Sequence, residues 1–119
     1  MTQKQTHYHK ELKSLMNNYV HLVYKITKDF PREELYGSAS QLRRAALSVV
    51  LNYIEGFARD SEATYRNFLK ISYGSLKESE YLLTFSFEEH YLSEENYLEA
   101  CKLADRIGGM LWGIISKMK

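Results

Sequence analysis

The sequence predicts an all-α protein, an antiparallel up-down-up-down four-helix bundle forming a single domain over residues 1–119. Three observations predict it. Apolar residues recur at steps of three and four along four segments of roughly 20 to 28 residues each. One proline, Pro31, and six glycines punctuate the whole chain, which suits long helices. No segment shows the strict alternation of a half-buried strand. Four long helices with short connections pack as neighbours around one core, in a rod roughly 30 to 40 Å long.

The first helix is expected from about Tyr8 to Asp29, where Leu12, Leu15, Met16, Tyr19, Leu22, Val23 and Ile26 share one face. Phe30-Pro31 ends it, because a residue before proline is pushed out of the helical region. PREELYG is the connection. Ser38 is the expected N-cap of a second helix reaching about Arg59. Ser61 is the expected N-cap of a third, reaching about Glu89. Ser93 is the expected N-cap of a fourth, with Glu94 and Glu95 in the first turn, where the helix dipole favours negative charge. That helix ends near Lys117, with Lys117 and Lys119 at the end that favours cations. Gly74 and Gly108 fall in helix interiors, where glycine costs roughly 1 kcal/mol against alanine. Close helix–helix approach is the expected compensation.

Helix 4 carries two adjacent apolar stripes. One is Tyr97, Cys101, Ala104, Gly108, Leu111, Ile115 and Met118; the other is Ala100, Leu103, Ile107, Met110 and Ile114. With Trp112 the arc covers roughly 200°, against about 100° for an ordinary surface helix. Helix 2 is wider still. The expectation is self-association through helix faces, with Ile107, Met110, Trp112 and Ile114 as candidate oligomer-face residues. Ten tyrosines suit such interfaces.

Within SASQLRRAALSVVLNYIEG the polar residues form one narrow stripe: Gln41, Arg44, Ser48, Asn52 and Glu55, continued by Arg59. Arg43 sits inside the apolar arc, where a charge needs a partner. Glu78 and Glu80 on helix 3 are the expected partners of these arginines. Arg44 and Glu55, three turns apart, are expected to meet other helices or subunits. The stripe reads as an inter-helix network fixing register, with a polar ligand or nucleic-acid contact as the alternative.

Net charge is +1, which argues against general coating of nucleic acid. Its distribution is uneven. Alternating helix directions bring both termini and the helix 2–3 turn to one end. That end gathers Lys4, Lys10, Lys13, Arg59, Arg66, Lys70, Lys117 and Lys119 against Glu11, Glu55, Asp60 and Glu62, with His7 and His9 nearby. The opposite end is net acidic. If several chains assemble in parallel, the basic rim becomes a strong local field able to hold RNA or DNA backbone. Lys10, Lys13, Arg59, Arg66, Lys70, Lys117 and Lys119 are the candidate nucleic-acid residues.

Enzyme chemistry has little support. His7-x-His9 lacks a helical i, i+4 ligand pattern with carboxylates. Glu88-Glu89-His90 does not make the Glu-x-x-His pair of a di-iron bundle. Cys101 lies on the apolar stripe and reads as a buried, inert thiol. No nucleophile has a visible base partner. No catalytic residue, metal or cofactor is expected. The N-terminus has no apolar h-region, no run approaches the ~18 apolar residues that span a membrane, and a lone cysteine suits a reducing compartment. A cytoplasmic protein without membrane contact is the expectation.

One ordered set of residues runs without a gap from Phe30 to Glu78. It comprises Phe30-Pro31, Glu33-Glu34, Tyr36-Gly37, Ser40-Gln41, Arg43-Arg44-Ala45-Ala46, Ser48, Asn52, Glu55-Gly56-Phe57, Arg59, Phe68-Leu69, Gly74-Ser75-Leu76 and Glu78. In this set the chain resembles the 23S rRNA intervening-sequence protein family, also called the four-helix-bundle protein family. Val49-Val50 and Tyr53-Ile54 depart from it, since the family usually has Ile-Pro and Ile-Ala there. The departures imply a straighter helix 2 and a divergent branch. The resemblance implies a small bacterial helical protein that assembles into a ring, typically a pentamer, with no known catalytic residues. Related proteins are accessory factors of diversity-generating retroelements, where they partner a reverse transcriptase and bind nucleic acid. Ile107-Gly108-Gly109-Met110-Leu111-Trp112 resembles their closing helix.

Two functions therefore stand as expectations. One is a non-catalytic oligomeric accessory or scaffold protein that associates with nucleic acid. The other is a protein–protein adaptor that never touches it.

Overall fold

The computed structural model describes residues 3–118, with side chains described for residues 6–118. Four helices make up the fold: α1 Gln3–Thr27, α2 Ser38–Phe57, α3 Glu62–Glu88 and α4 Glu94–Ile115, with one 3-10 turn at Arg32–Glu34. Among the described residues there is no strand. Helix α1 packs on α2 and α4, and α3 packs on α2 and α4, so each helix touches two neighbours around one core. The body measures 45 × 23 × 19 Å. Neighbouring helices meet with early residues of one beside late residues of the other. His9 reaches Tyr53 while Thr27 reaches Arg43, and Thr84 reaches Tyr97 while Tyr73 reaches Trp112.

Helix boundaries follow local chemistry. Ser61 and Ser93 cap α3 and α4, each accepting a hydrogen bond from the backbone N–H three residues on, Thr64 at 3.3 Å and Asn96 at 3.1 Å. The start of α2 differs from expectation. Gly37 occupies the N-cap position and Ser38 is already helical. The Glu34 carboxylate does the capping from outside, accepting from the Ser38 hydroxyl at 2.7 Å and from its backbone N–H at 3.4 Å. A carboxylate there also complements the positive end of the helix dipole. Helix α1 starts earlier than expected and stops at Thr27, whose hydroxyl donates back to Val23 O at 2.8 Å. At the end of α3, His90 takes the left-handed conformation (φ 65°). Its N–H donates to Phe87 O and the Tyr91 N–H donates to Ser86 O, which together close a Schellman motif.

The core draws on all four helices: Leu12, Met16, Tyr19, Val23 and Ile26; Leu42, Ala46, Val49 and Tyr53; Leu69, Leu76 and Leu83; Ala100, Ala104, Ile107, Leu111 and Ile115. Each fully buried leucine or isoleucine contributes about 1.5–3 kcal/mol of hydrophobic stabilisation. Helix α3 buries a strict heptad in which leucine and serine alternate: Leu69, Ser72, Leu76, Ser79, Leu83, Ser86. Ser72 donates to Val49 O at 2.6 Å across the α2 interface. The most extensive contact is between α2 and α3. It is closest at Gly56, where a Cβ would stand 2.9 Å from Phe68 Cβ. Gly56 is thus the glycine of close approach. Gly74 is not, because a Cβ there would meet nothing within 4 Å. At Gly108 the nearest neighbour, Leu76 Cδ2, lies at 3.4 Å.

The bundle absorbs much of the apolar arc of α4. Ile107 is fully buried in the chain's own core, so it cannot belong to an outward oligomer face. Met110 and Ile114 are half-buried against that core. Of the four residues expected on the face, Trp112 alone is exposed, at 53%. Cys101 is half-buried rather than buried, and burial pushes its thiol above the usual range while a hydrogen bond with Tyr97 opposes the shift.

Candidate nucleic-acid interface

Three contacts gather the start of α1, the end of α2, the start of α3 and the end of α4 at one end of the body. The Tyr8 hydroxyl donates to Met110 O at 2.8 Å. His9 meets Tyr53, and Gly56 meets Phe68 and Tyr65. The predicted basic residues that are described therefore share an end, although their surroundings differ. Lys10, Lys13, Lys70 and Lys117 are exposed and make no ion pair among the described residues. Arg59 is held by Glu55 in a hydrogen-bonded ion pair one helical turn away, and its guanidinium lies 5.2 Å from the centre of the Phe68 ring. Arg66 is half-buried, with Nε enclosed and lacking a hydrogen-bond partner. Lys119 and the side chain of Lys4 lie outside the described residues. The acidic complement is partly neutralised, since Glu11 accepts from Arg106 at 3.0 Å.

A ring cluster lies beside these cations, and the sequence reading missed it. The Tyr53 hydroxyl and His9 Nδ1 share a hydrogen bond. The His9 and Phe57 rings meet at 83° with centroids 4.5 Å apart, and Phe57 also packs on Tyr53 at 5.7 Å and Tyr65 at 5.8 Å. Burial lowers the His9 pKa, which favours the neutral ring. Burial also raises the Tyr53 and Tyr65 phenols. Thr6, His9, Lys10 and Lys13 of α1 and Tyr53, Ile54 and Phe57 of α2 line an open groove of about 280 Å³. The signal was present in sequence as Tyr53 and Phe57 at i, i+4. It needed His9 from a residue 44 positions away to become a site.

The polar stripe lies elsewhere, along the α2–α3 seam. Gln41, Arg44, Ala45 and Ser48 face Ser75 and Glu78 across a shallow groove of about 450 Å³. The Ser48 and Ser75 hydroxyls are 2.7 Å apart, and Asn52 Nδ2 donates to Ser48 O and Oγ, both at 2.9 Å. The expected pairing of the arginines with Glu78 and Glu80 does not form. Arg43 Nε donates to Thr27 Oγ1 at 2.6 Å, and the guanidinium lies 4.7 Å from the Tyr24 ring centre. Its position on the α1 side of α2 puts Glu78 and Glu80 out of reach, and Glu80 instead lies 3.5 Å from Lys77. Glu55 pairs within its own helix tail rather than with another helix. Arg44 and Glu78 share the groove without forming an ion pair.

Among the described residues no three His, Cys, Asp or Glu side chains group in a way that could hold a metal. No helix there is long and apolar enough to cross a membrane.

These features define a small four-helix-bundle protein with a basic, ring-lined end. The chain belongs to the 23S rRNA-intervening sequence protein family, whose model matches residues 10–113. Its fold is similar to that of a crystal structure of a protein of unknown function from the S23 ribosomal protein family of Bacteroides thetaiotaomicron VPI-5482. The two share 22% sequence identity and superpose with a TM-score of 0.80, over 89% of this chain and 99% of that one. No curated protein matches the chain.

Proposed function

We propose that the protein is a non-catalytic, homo-oligomeric helical bundle that serves as a nucleic-acid-associated accessory or scaffold protein in the cytoplasm. The observation that carries this reading is the set of four exposed lysines without ion pairs at one end, Lys10, Lys13, Lys70 and Lys117. Phosphate backbone is the natural ligand of such a surface, through Coulomb attraction and counterion release. Several copies side by side would concentrate the field. Exposed Leu51, Ile71 and Trp112 supply apolar surface for self-association, and the family resemblance implies a pentamer. A gel shift with RNA and with DNA at low salt tests the ligand. Retardation that weakens steeply with salt is expected, and its absence removes the nucleic-acid role. Light scattering tests the assembly, and a species of only 14.0 kDa removes it.

A second reading, an adaptor binding only protein, is favoured by the opposite end. There Leu35 and Tyr36 are exposed, Tyr36 at 91%, beside Glu33. The family resemblance makes a reverse transcriptase one such partner. Under this reading Tyr36→Ser abolishes function in cells, while Lys10→Glu with Lys13→Glu leaves it intact. The nucleic-acid reading expects the reverse.

A further inference from the structure

The groove between α1 and α2 combines size, ring surface and charge in a way that narrows the form of nucleic acid. Its volume of about 280 Å³ is near the lower end for small-molecule sites, which start at roughly 300 Å³. That space suits one planar ring system rather than a packed helix. Phe57 is 41% exposed at its wall, held by the tilted Tyr53 ring and by His9 and Tyr65, which both meet it near right angles. Ile54, at 44% exposure, continues the apolar surface. On the α1 rim Lys10 and Lys13 are separated by about 4.5 Å of helix rise, and neither is neutralised by an ion pair among the described residues. A wholly apolar ligand would leave both lysines unused. A duplex offers them phosphates but keeps its base faces stacked inside, so the rings would gain nothing.

We infer that this groove takes one unpaired base of a single-stranded nucleic acid, with Phe57 as the stacking surface and Lys10 and Lys13 on the flanking phosphates. The inference rests on the nucleic-acid reading above and adds to it the strand form and the contact. Base–aromatic stacking is tolerant of sequence because every base has a π-face, so the site selects single strands without selecting a sequence.

Fluorescence anisotropy with end-labelled 12-nucleotide oligo-U, oligo-dT and a duplex of equal length tests it on the full chain. Wild type is expected to bind both single strands more tightly than the duplex. Phe57→Ala should weaken single-strand binding by roughly 5- to 150-fold and leave duplex binding within about twofold. Phe57→Leu keeps apolar bulk in the wall and so guards against a folding artefact; it should show the same selective loss. Lys10→Gln with Lys13→Gln should lower the salt slope for single strands by about 1.4. Equal affinity for duplex and single strand, with Phe57→Leu indifferent, overturns the base site and leaves the backbone reading standing. No binding of any of the three at low salt overturns both. An acidic phenylalanine-containing peptide that binds as tightly, with the same dependence on Phe57, overturns the inference in favour of a peptide groove.

Discussion

Tyr19 and Ser79 meet hydroxyl to hydroxyl at 2.7 Å in the middle of the core, across two helices that lie diagonally opposite. The Ser79 hydroxyl donates to Leu76 O at 2.7 Å, which makes Tyr19 the donor to Ser79. Burial holds the Tyr19 phenol far above its usual pKa, so it stays protonated. Removing Ser79 strands a buried donor, whereas removing both hydroxyls strands nothing. Ser79→Ala is therefore expected to cost about 1–3 kcal/mol, Tyr19→Phe about 0.5–1.5, and the double variant less than their sum. Urea unfolding of the four proteins measures this, and strict additivity would contradict it.

Two glycines should respond oppositely to the same change. Gly56→Ala places a Cβ 2.9 Å from Phe68 Cβ, so the α2–α3 interface must open. A loss of about 1–3 kcal/mol is expected. Gly74→Ala meets nothing within 4 Å on an exposed helix face and should gain about 0.5–1 kcal/mol. Thermal melts of the two variants should bracket wild type.

The left-handed turn after α3 is filled by a residue with a Cβ. His90→Gly removes that steric cost while preserving both Schellman hydrogen bonds. A gain of about 0.5–1 kcal/mol is expected, reduced from the full left-handed penalty by the extra freedom of glycine in the unfolded chain. A melting temperature below wild type would contradict this.

Arg43 joins α2 to α1 through Thr27 and Tyr24. Arg43→Ala should cost about 1.5–3 kcal/mol, the range for hydrogen bonds to charged groups. Lysine lacks the guanidinium plane for the ring, so Arg43→Lys should recover only part of the loss. Denaturant midpoints decide it, and an unchanged midpoint for Arg43→Ala refutes the role.

The depressed pKa of His9 ties stability to pH. As pH falls through about 6.5, the unfolded chain takes up its His9 proton before the folded chain does. Stability due to this residue is thus fully present above that value and declines below it, as far as the lower folded pKa. His9→Gln should flatten the difference in melting temperature between pH 7.5 and pH 5.5. An equal acid loss in both proteins would exclude His9 as its source.

Much of the fold was legible because its signals are local. Ser61 and Ser93 cap their helices through their own side chains, and Phe30-Pro31 ends α1 within three residues. The misreadings share another cause: each depended on which helix faces which. Ser38 resembles an N-cap until the 3-10 turn swings Glu34 into that role. Arg43 pairs toward α1 rather than α3 because of the rotation of α2, which periodicity does not fix. Gly56 and Gly74 are alike in sequence, and only the α2–α3 crossing point separates them. The basic end could be anticipated from alternating helix direction. Its ring cluster could not, because His9 and Phe57 belong to different helices.

The alternating leucines and serines buried along α3 repeat every seven residues. Slid by one repeat, about 10.5 Å along its axis, that helix would present the same kinds of side chain to its neighbours. Such a helix carries no ruler of its own. The mark that forbids the slide sits on a partner: the notch at Gly56 admits Phe68, whereas Tyr19 would find Ser72 or Ser86 after a slide as it now finds Ser79. Alignment of α3 is thus read from α2. Erasing that notch and its Phe68 together should yield a chain that still collapses into helices but samples more than one alignment, visible as doubled amide resonances.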